Sequence, residues 1–365
     1  MRASWRRAVL PVGLAVLFMI TGCGSAATAP PNTDHTQELQ SRFDALAPGS
    51  TLQLDSGTYR HSGVLKIRVP NVTIKGNGTT LAATNDLTSS VQVTADGVSI
   101  SGITFGGATS GTRQSGLDQH KLVISGTNDT VRDVNIRGSA AAGLFVDGAK
   151  GFTIDRVNVS DTLADGVHMT NGASGGSVSN VTTSGTGDDG VAVVSYGDNG
   201  LCSDIKESNI TVNGNRWGRG ITVVGGTRVA ITGFNVSNTS GAGLYIASEG
   251  NPYYTQSVSQ VSASNGRITS ANIGTVVHGS ILVYSGNAGR SVSNVRVSGV
   301  TVTSTPAKAG RDVAVLADSG GTVSNISFTQ ITLVNDSVQP FVTNAPRSAT
   351  STSGWTRNGT PIEVP

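Results

Sequence analysis

The chain has 365 residues, 25 of them Lys or Arg and 23 Asp or Glu, for a formal net charge of +2. Only 13% of residues are charged and 5% aromatic, while glycine alone numbers 48. So few charges, nearly balanced, exclude an electrostatic nucleic-acid binder, and short alternating runs of Val, Ile and Thr favour many short strands over helices.

At the N-terminus, Arg2, Arg6 and Arg7 precede an uncharged apolar run from Ala8 to Ile20. A basic start, an apolar stretch of about 13 residues and small residues at its end describe an export signal, shorter than a membrane-spanning helix. The segment Ile20-Thr21-Gly22-Cys23 resembles the lipobox of bacterial lipoproteins. That resemblance implies a signal peptide over 1–22, a lipid on Cys23, a flexible tether over 23–32 and an exported protein held at the membrane outside the cytoplasm. Removing residues 1–22, with three Arg and no acid, leaves 22 basic against 23 acidic residues, a net charge of −1. Cys202 then has no intrachain disulfide partner, and buried packing is its expected role.

Residues 33–365 read as one all-β domain, expected to act as a monomer. Asp34-His35-Thr36-Gln37, followed by Leu39, Phe43 and Leu46 and ended at Pro48-Gly49, predicts a short capping helix. The run "LAPGSTLQLDSGTYRHSGVLKI" resembles the opening coil of carbohydrate-active right-handed β-helix proteins. In "LDQHKLVISG", His120 and Lys121 sit in an early coil and are expected to be structural.

Self-similarity then sets the architecture. "AGLFVDG" from Ala142, "DGVHMTNG" from Asp165, "DGVAVVSYG" from Asp189, "RGITVVGG" from Arg219 and "AGLYIASEG" from Ala242 recur at spacings of 23, 24, 30 and 23 residues, with later copies near His278 and Asp312. With the apolar runs between them, each repeat holds about three short strands. That pattern predicts a single right-handed parallel β-helix with coils of about 23 residues. Alternating residues such as Val167 with Met169, and Val191 with Val193, would point inward and stack. Extra length is expected as loops over 196–218 and 249–277, and the tail around Trp355 as the C-terminal cover.

In register, Asp165, Asp189 and Arg219 would form one column at coil spacings of about 4.8 Å, with Asp188 as an added carboxylate. Such a column destabilises the fold unless it is compensated, which Arg219 could do for Asp189. Carboxylates this close should differ in proton affinity, as acid/base chemistry requires. Asp before Gly is also an ordinary turn pair, so each Asp alone has a structural reading. Asp165 also shares the parity of inward Val167, so the neighbouring Gly is expected to bend the chain outward.

The stretch "LADGVHMTNGASGGSVSNVTTSGTGDDGVAVVSY" resembles the catalytic segment of the polygalacturonases, glycoside hydrolase family 28. The family's Asn-Thr-Asp-Gly coil becomes Leu163-Ala164-Asp165-Gly166, and its Gly-Asp-Asp coil is complete as Gly187-Asp188-Asp189. Its Gly-His-Gly coil becomes Gly218-Arg219-Gly220, and its Arg-Ile-Lys coil becomes Tyr245-Ile246-Ala247. The resemblance implies a metal-free inverting glycosidase acting on a polysaccharide, with Asp188 as general acid and Asp165 and Asp189 as general-base candidates. An inverting pair stands roughly 6.5–9.5 Å apart. Loss of both cations at the fourth coil points from uronic acids towards a neutral or differently charged glycan. Arg219, His168, Tyr196, Tyr245 and Glu249 are substrate-binding candidates, with Trp217 as a further stacking surface. Two other readings stay open. One is a non-catalytic glycan-binding or envelope-structural β-helix; the other is a lyase or epimerase using Arg219 or Lys206, with Ca²⁺ on the Asp patch.

Overall fold

Coil follows coil with one position fixed across the molecule: Leu122 pairs with Leu144, then Val167, Val191, Ile221, Leu244, Ile281 and Val313. The computed structural model describes residues 33–197 and 199–365, and Asp34–Pro365 form one unit. Cys23, the proposed leader over 1–22 and the tether over 23–32 lie outside the described residues. The strands form two long parallel sheets, one of 15 and one of 11 strands, which alternate along the chain. Between Leu122 and Val191 the coil step is 22, 23 and 24 residues.

The expected three strands per coil arise because the longer strand is bent. Ser177–Thr186 and Ser203–Asn215 each turn a corner, at Asn180 and Asn209, both at φ 53°. Asn tolerates this left-handed conformation better than branched residues do. The two corners stack, and Asn209 Nδ2 donates to Asn180 Oδ1 at 3.1 Å.

Inward residues make a continuous apolar column: Val167, Met169, Val191, Val193, Ile221 and Val223 are fully buried. Each such side chain contributes about 1.5–3 kcal/mol of burial. The ends are closed as the sequence suggests. Helix Thr36–Asp44 buries Leu39 and Phe43, and Gln40 bonds both backbone groups of Lys66. At the other end Trp355 packs edge-on against Phe328 and Phe341, and its indole donates to the Phe328 carbonyl at 3.2 Å. Antiparallel pairing of Trp355–Arg357 with Thr360–Ile362 ends the parallel ladder.

Three expectations need correction. The long insertions over 196–218 and 249–277 are mostly coil, since Ser203–Asn215 and Val258–Thr269 are strands; only short loops remain. A longer insertion lies between Gly106 and Leu122, where no repeat marked it. The column through Asp165 continues to Gly279 and Arg311, so His278 and Asp312 each stand one position off it.

The glycines beside the column serve close approach rather than bending. None of Gly166, Gly190 and Gly220 takes a positive φ. A Cβ at Gly166 would lie 2.6 Å from the Gly190 carbonyl oxygen, and one at Gly220 2.3 Å from that of Gly243.

One core position breaks the apolar pattern. Glu207 occupies the column between Val178 and Ile231, fully buried, and neither carboxyl oxygen has a hydrogen-bond partner. Burial pushes its pKa from the ordinary 4.5 up to about 8. The folded state therefore holds a proton that the unfolded chain releases above about 4.5, and stability falls as pH rises towards 8. Glu207→Gln should flatten this slope, which reaches roughly 3 kcal/mol between pH 4.5 and 7 at 1.36 kcal/mol per unit. Thermal unfolding followed across pH 4–8 measures it, and an unchanged slope refutes the assignment.

Candidate active site

The strands of the smaller sheet deliver the candidate residues to one cleft. Asp165 precedes Val167–Thr170, Asp188 and Asp189 precede Val191–Val194, Arg219 precedes Ile221–Val224, and Glu249 follows Leu244–Ser248. They line a cleft of about 310 Å³ together with His168, Tyr196 and Trp217. Asp165, Asp188 and Asp189 each place an oxygen within 4.8 Å of the others. Asp188 and Asp189 are chain neighbours and Asp165 lies one coil away.

Asp188 and Asp189 each have an arginine partner, and Asp165 has a histidine. Asp188 Oδ2 is paired at 2.6 Å with Nη1 of Arg113, which the insertion before Leu122 carries across the cleft. Asp189 Oδ1 accepts from the Arg219 backbone at 2.7 Å, with Arg219 Nε at 3.3 Å, and its Oδ2 accepts from the Thr222 hydroxyl at 3.1 Å. Asp165 Oδ2 accepts a short hydrogen bond from His168 Nδ1, and its Oδ1 accepts from the Asp189 backbone at 3.0 Å. Three such oxygens are a set that suits a hard cation, but Arg113 and Arg219 already pair with Asp188 and Asp189. The chemistry available is proton transfer.

The environments separate the proton affinities. Burial raises the Asp188 carboxyl, the charge of Asp165 adds to this, and Arg113 opposes it only in part. Its Oδ1 is buried without a partner, close against Gly218, where a Cβ would come within 2.3 Å. Burial also pushes Asp165 up, but the contact with His168, together with the charges of Arg113 and Arg219, outweighs it and holds Asp165 low. Asp189 is raised by burial, with Arg219 pulling it back. Neighbouring carboxyls in the cleft are therefore shifted in opposite directions, Asp188 and Asp189 up and Asp165 down.

Aromatic rings run along the cleft wall. Register places His168 opposite Phe145, and their rings stack at 5.2 Å; His120 stacks on Phe145 at 3.8 Å and Tyr196 faces His168 at 6.4 Å. His120 Nδ1 accepts from the Ala142 backbone, and burial lowers its pKa to about 3, so this ring is neutral. A second cleft of about 470 Å³ shares Glu249 and Tyr253 with the first, and Tyr254 and Tyr284 line it. Five of the six tyrosines of the chain line the two clefts.

Some candidates sit elsewhere than expected. Tyr245 is only 3% exposed; it supports Arg219, whose guanidinium lies 4.7 Å from its ring, and stacks on His278. It is thus no open stacking surface, whereas Trp217 is 53% exposed at the cleft. His120, expected away from the acidic patch, lines it. Lys121 is buried against His61 and the Ser89 carbonyl. Lys206 lies on the outer face of the larger sheet and is not among the cleft residues. Arg113 escaped sequence reading because its segment has no strand period; an Arg in a long insertion was the only signal.

Residues 120–338 match the family described as the right handed beta helix region. No curated protein matches the sequence. Among solved structures, the catalytic domain of a GH87 α-1,3-glucanase with an Asp-to-Ala substitution, in complex with tetrasaccharides, aligns with a TM-score of 0.72 at 15% identity, covering 89% of this chain and 68% of that one. The catalytic unit of the thermostable GH87 α-1,3-glucanase from Streptomyces thermodiastaticus strain HF3-3 aligns with a TM-score of 0.56 at 18% identity, covering 90% and 66%. PfbA, a surface adhesin of Streptococcus pneumoniae, aligns with a TM-score of 0.64 at 14% identity, covering 89% and 87%. The chain spans about two thirds of the glucanase domains, and these likenesses establish the fold.

Arg219 links Asp189 and Glu249 while nearly buried. Arg219→Met, which strands both carboxylates, should destabilise the protein by about 3–5 kcal/mol, and adding Asp189→Asn should recover part of the loss. Denaturant unfolding of the two variants checks this, and strict additivity refutes the coupling.

Proposed function

We propose that this chain, a member of the right-handed β-helix family, is a glycoside hydrolase that cleaves a neutral polysaccharide by carboxyl-based acid/base chemistry. The observation that carries the reading is the convergence of Asp165, Asp188 and Asp189 from two coils into one cleft, with their proton affinities set apart. The α-1,3-glucanase domains include Asp-to-Ala variants at three positions spaced 23 and 1 residues apart, the spacing of Asp165, Asp188 and Asp189 here.

In this reading Asp188 gives its proton to the leaving glycosidic oxygen. Asp165, the carboxyl held low, carries the negative charge opposite, where water is activated. Arg219 is bound to two carboxylates and Arg113 to a third, so neither is free as the counter-charge a uronic acid needs. A glucan is therefore the first substrate to test, and the tyrosine-lined clefts suit an extended chain. A lyase is less well supported, because Lys206 is on another face and Arg219 is held in ion pairs. A non-catalytic glycan binder is the second reading, favoured by the fold likeness to a surface adhesin. The exported, lipid-anchored location belongs to the same proposal and rests on Ile20–Cys23.

Wild-type protein should release reducing ends from α-1,3-glucan or another neutral glycan, and Asp188→Asn should lose about 10²–10⁴-fold of that activity with binding retained. Binding without cleavage in both proteins would establish the adhesin-like reading, and an unsaturated product the lyase. Cys23→Ala should release the protein from membranes in cell fractionation; full retention refutes lipid attachment.

A further inference from the structure

Both oxygens of Asp165 and of Asp189 are committed to donors within the protein. The group left open on that side is the imidazole of His168. Its Nδ1 is bonded to Asp165, one ring face stacks on Phe145 at 5.2 Å and the other faces Tyr196 at 6.4 Å. The residue is 7% exposed and lines the cleft. Among the described residues its Nε2 bonds to no protein group, yet it is not among the buried atoms left without a partner, so it opens onto the cleft.

Resting on the hydrolase reading, we infer that His168, through Nε2, takes the proton of the attacking water, and that Asp165 is a positioning residue that holds the ring by Nδ1. A carboxylate acceptor requires Nδ1 to carry the hydrogen, which leaves the Nε2 lone pair free, the arrangement by which a third group orients a base. The water oxygen bonds to the anomeric carbon as the glycosidic bond breaks. Its proton passes to Nε2, the Asp188 proton passes to the leaving oxygen, and solvent returns one proton from the imidazolium to Asp188. The titratable and charged groups around the ring are Asp165 at its own strand, neutral His120 and Tyr196 along the stack, and Asp188, Asp189, Arg113, Arg219 and Glu249 in the cleft.

Two measurements decide this. Two-bond ¹H–¹⁵N correlation on histidine-labelled full-length protein should show His168 as the Nδ1–H tautomer at high pH, and Asp165→Asn should abolish that preference. In the hydrolysis assay, the acidic limb of kcat/KM should follow the titration midpoint of His168 and move in Asp165→Asn. His168→Gln should lose about 10²–10⁴-fold in kcat with KM nearly unchanged. An Nε2–H tautomer, or hydrolysis whose acidic limb ignores both substitutions, overturns the inference while leaving the hydrolase reading intact. If the wild type cleaves no glycan in the panel, the hydrolase reading itself falls.

Discussion

Everything in this molecule depends on parallel stacking in register. Because each coil bonds to the next at about 4.8 Å, a residue at one position is committed to neighbours above and below. Apolar positions gain from this repetition, as in the run from Leu122 to Val313. Charged positions do not, since like charges so close repel. Asp165 and Asp189 persist in adjacent rungs because Arg219 occupies the next rung, His168 bonds to Asp165, and Arg113 pairs with Asp188 from the side.

The same stacking explains why the carboxyls are buried deeply enough for their proton affinities to shift. Glycines at 166, 190 and 220 let backbones approach so closely that no Cβ fits. The carboxylates beside them are thereby drawn out of water, which is the first cause of the upward shift in Asp188 and Asp189. Asp165 escapes that shift because one further contact, to His168, favours its charged form.

How much could be read in advance follows from the same physics. The coil period was visible from Ala142 to Ala242, so the neighbourhood of Asp165, Asp189 and Arg219 was legible, as were the capping helix and the inward Val and Met. Asp188 was legible as the carboxylate a turn does not need. Position off the period was not: Arg113 reaches Asp188 from an insertion 75 residues earlier in the chain. The aromatic stack was equally hidden, because His120 and Phe145 meet His168 only through outward register. Tyr245 was misjudged since sequence shows a ring but not the guanidinium lying on it.

Arg113 belongs to a connector and not to a rung of the ladder. The connector contributes no strand to either ladder, yet it holds a cation against the proposed acid. The frame that assembles the carboxylates is built into the repeat, and one of the charges that tune the proposed acid comes from a segment outside it.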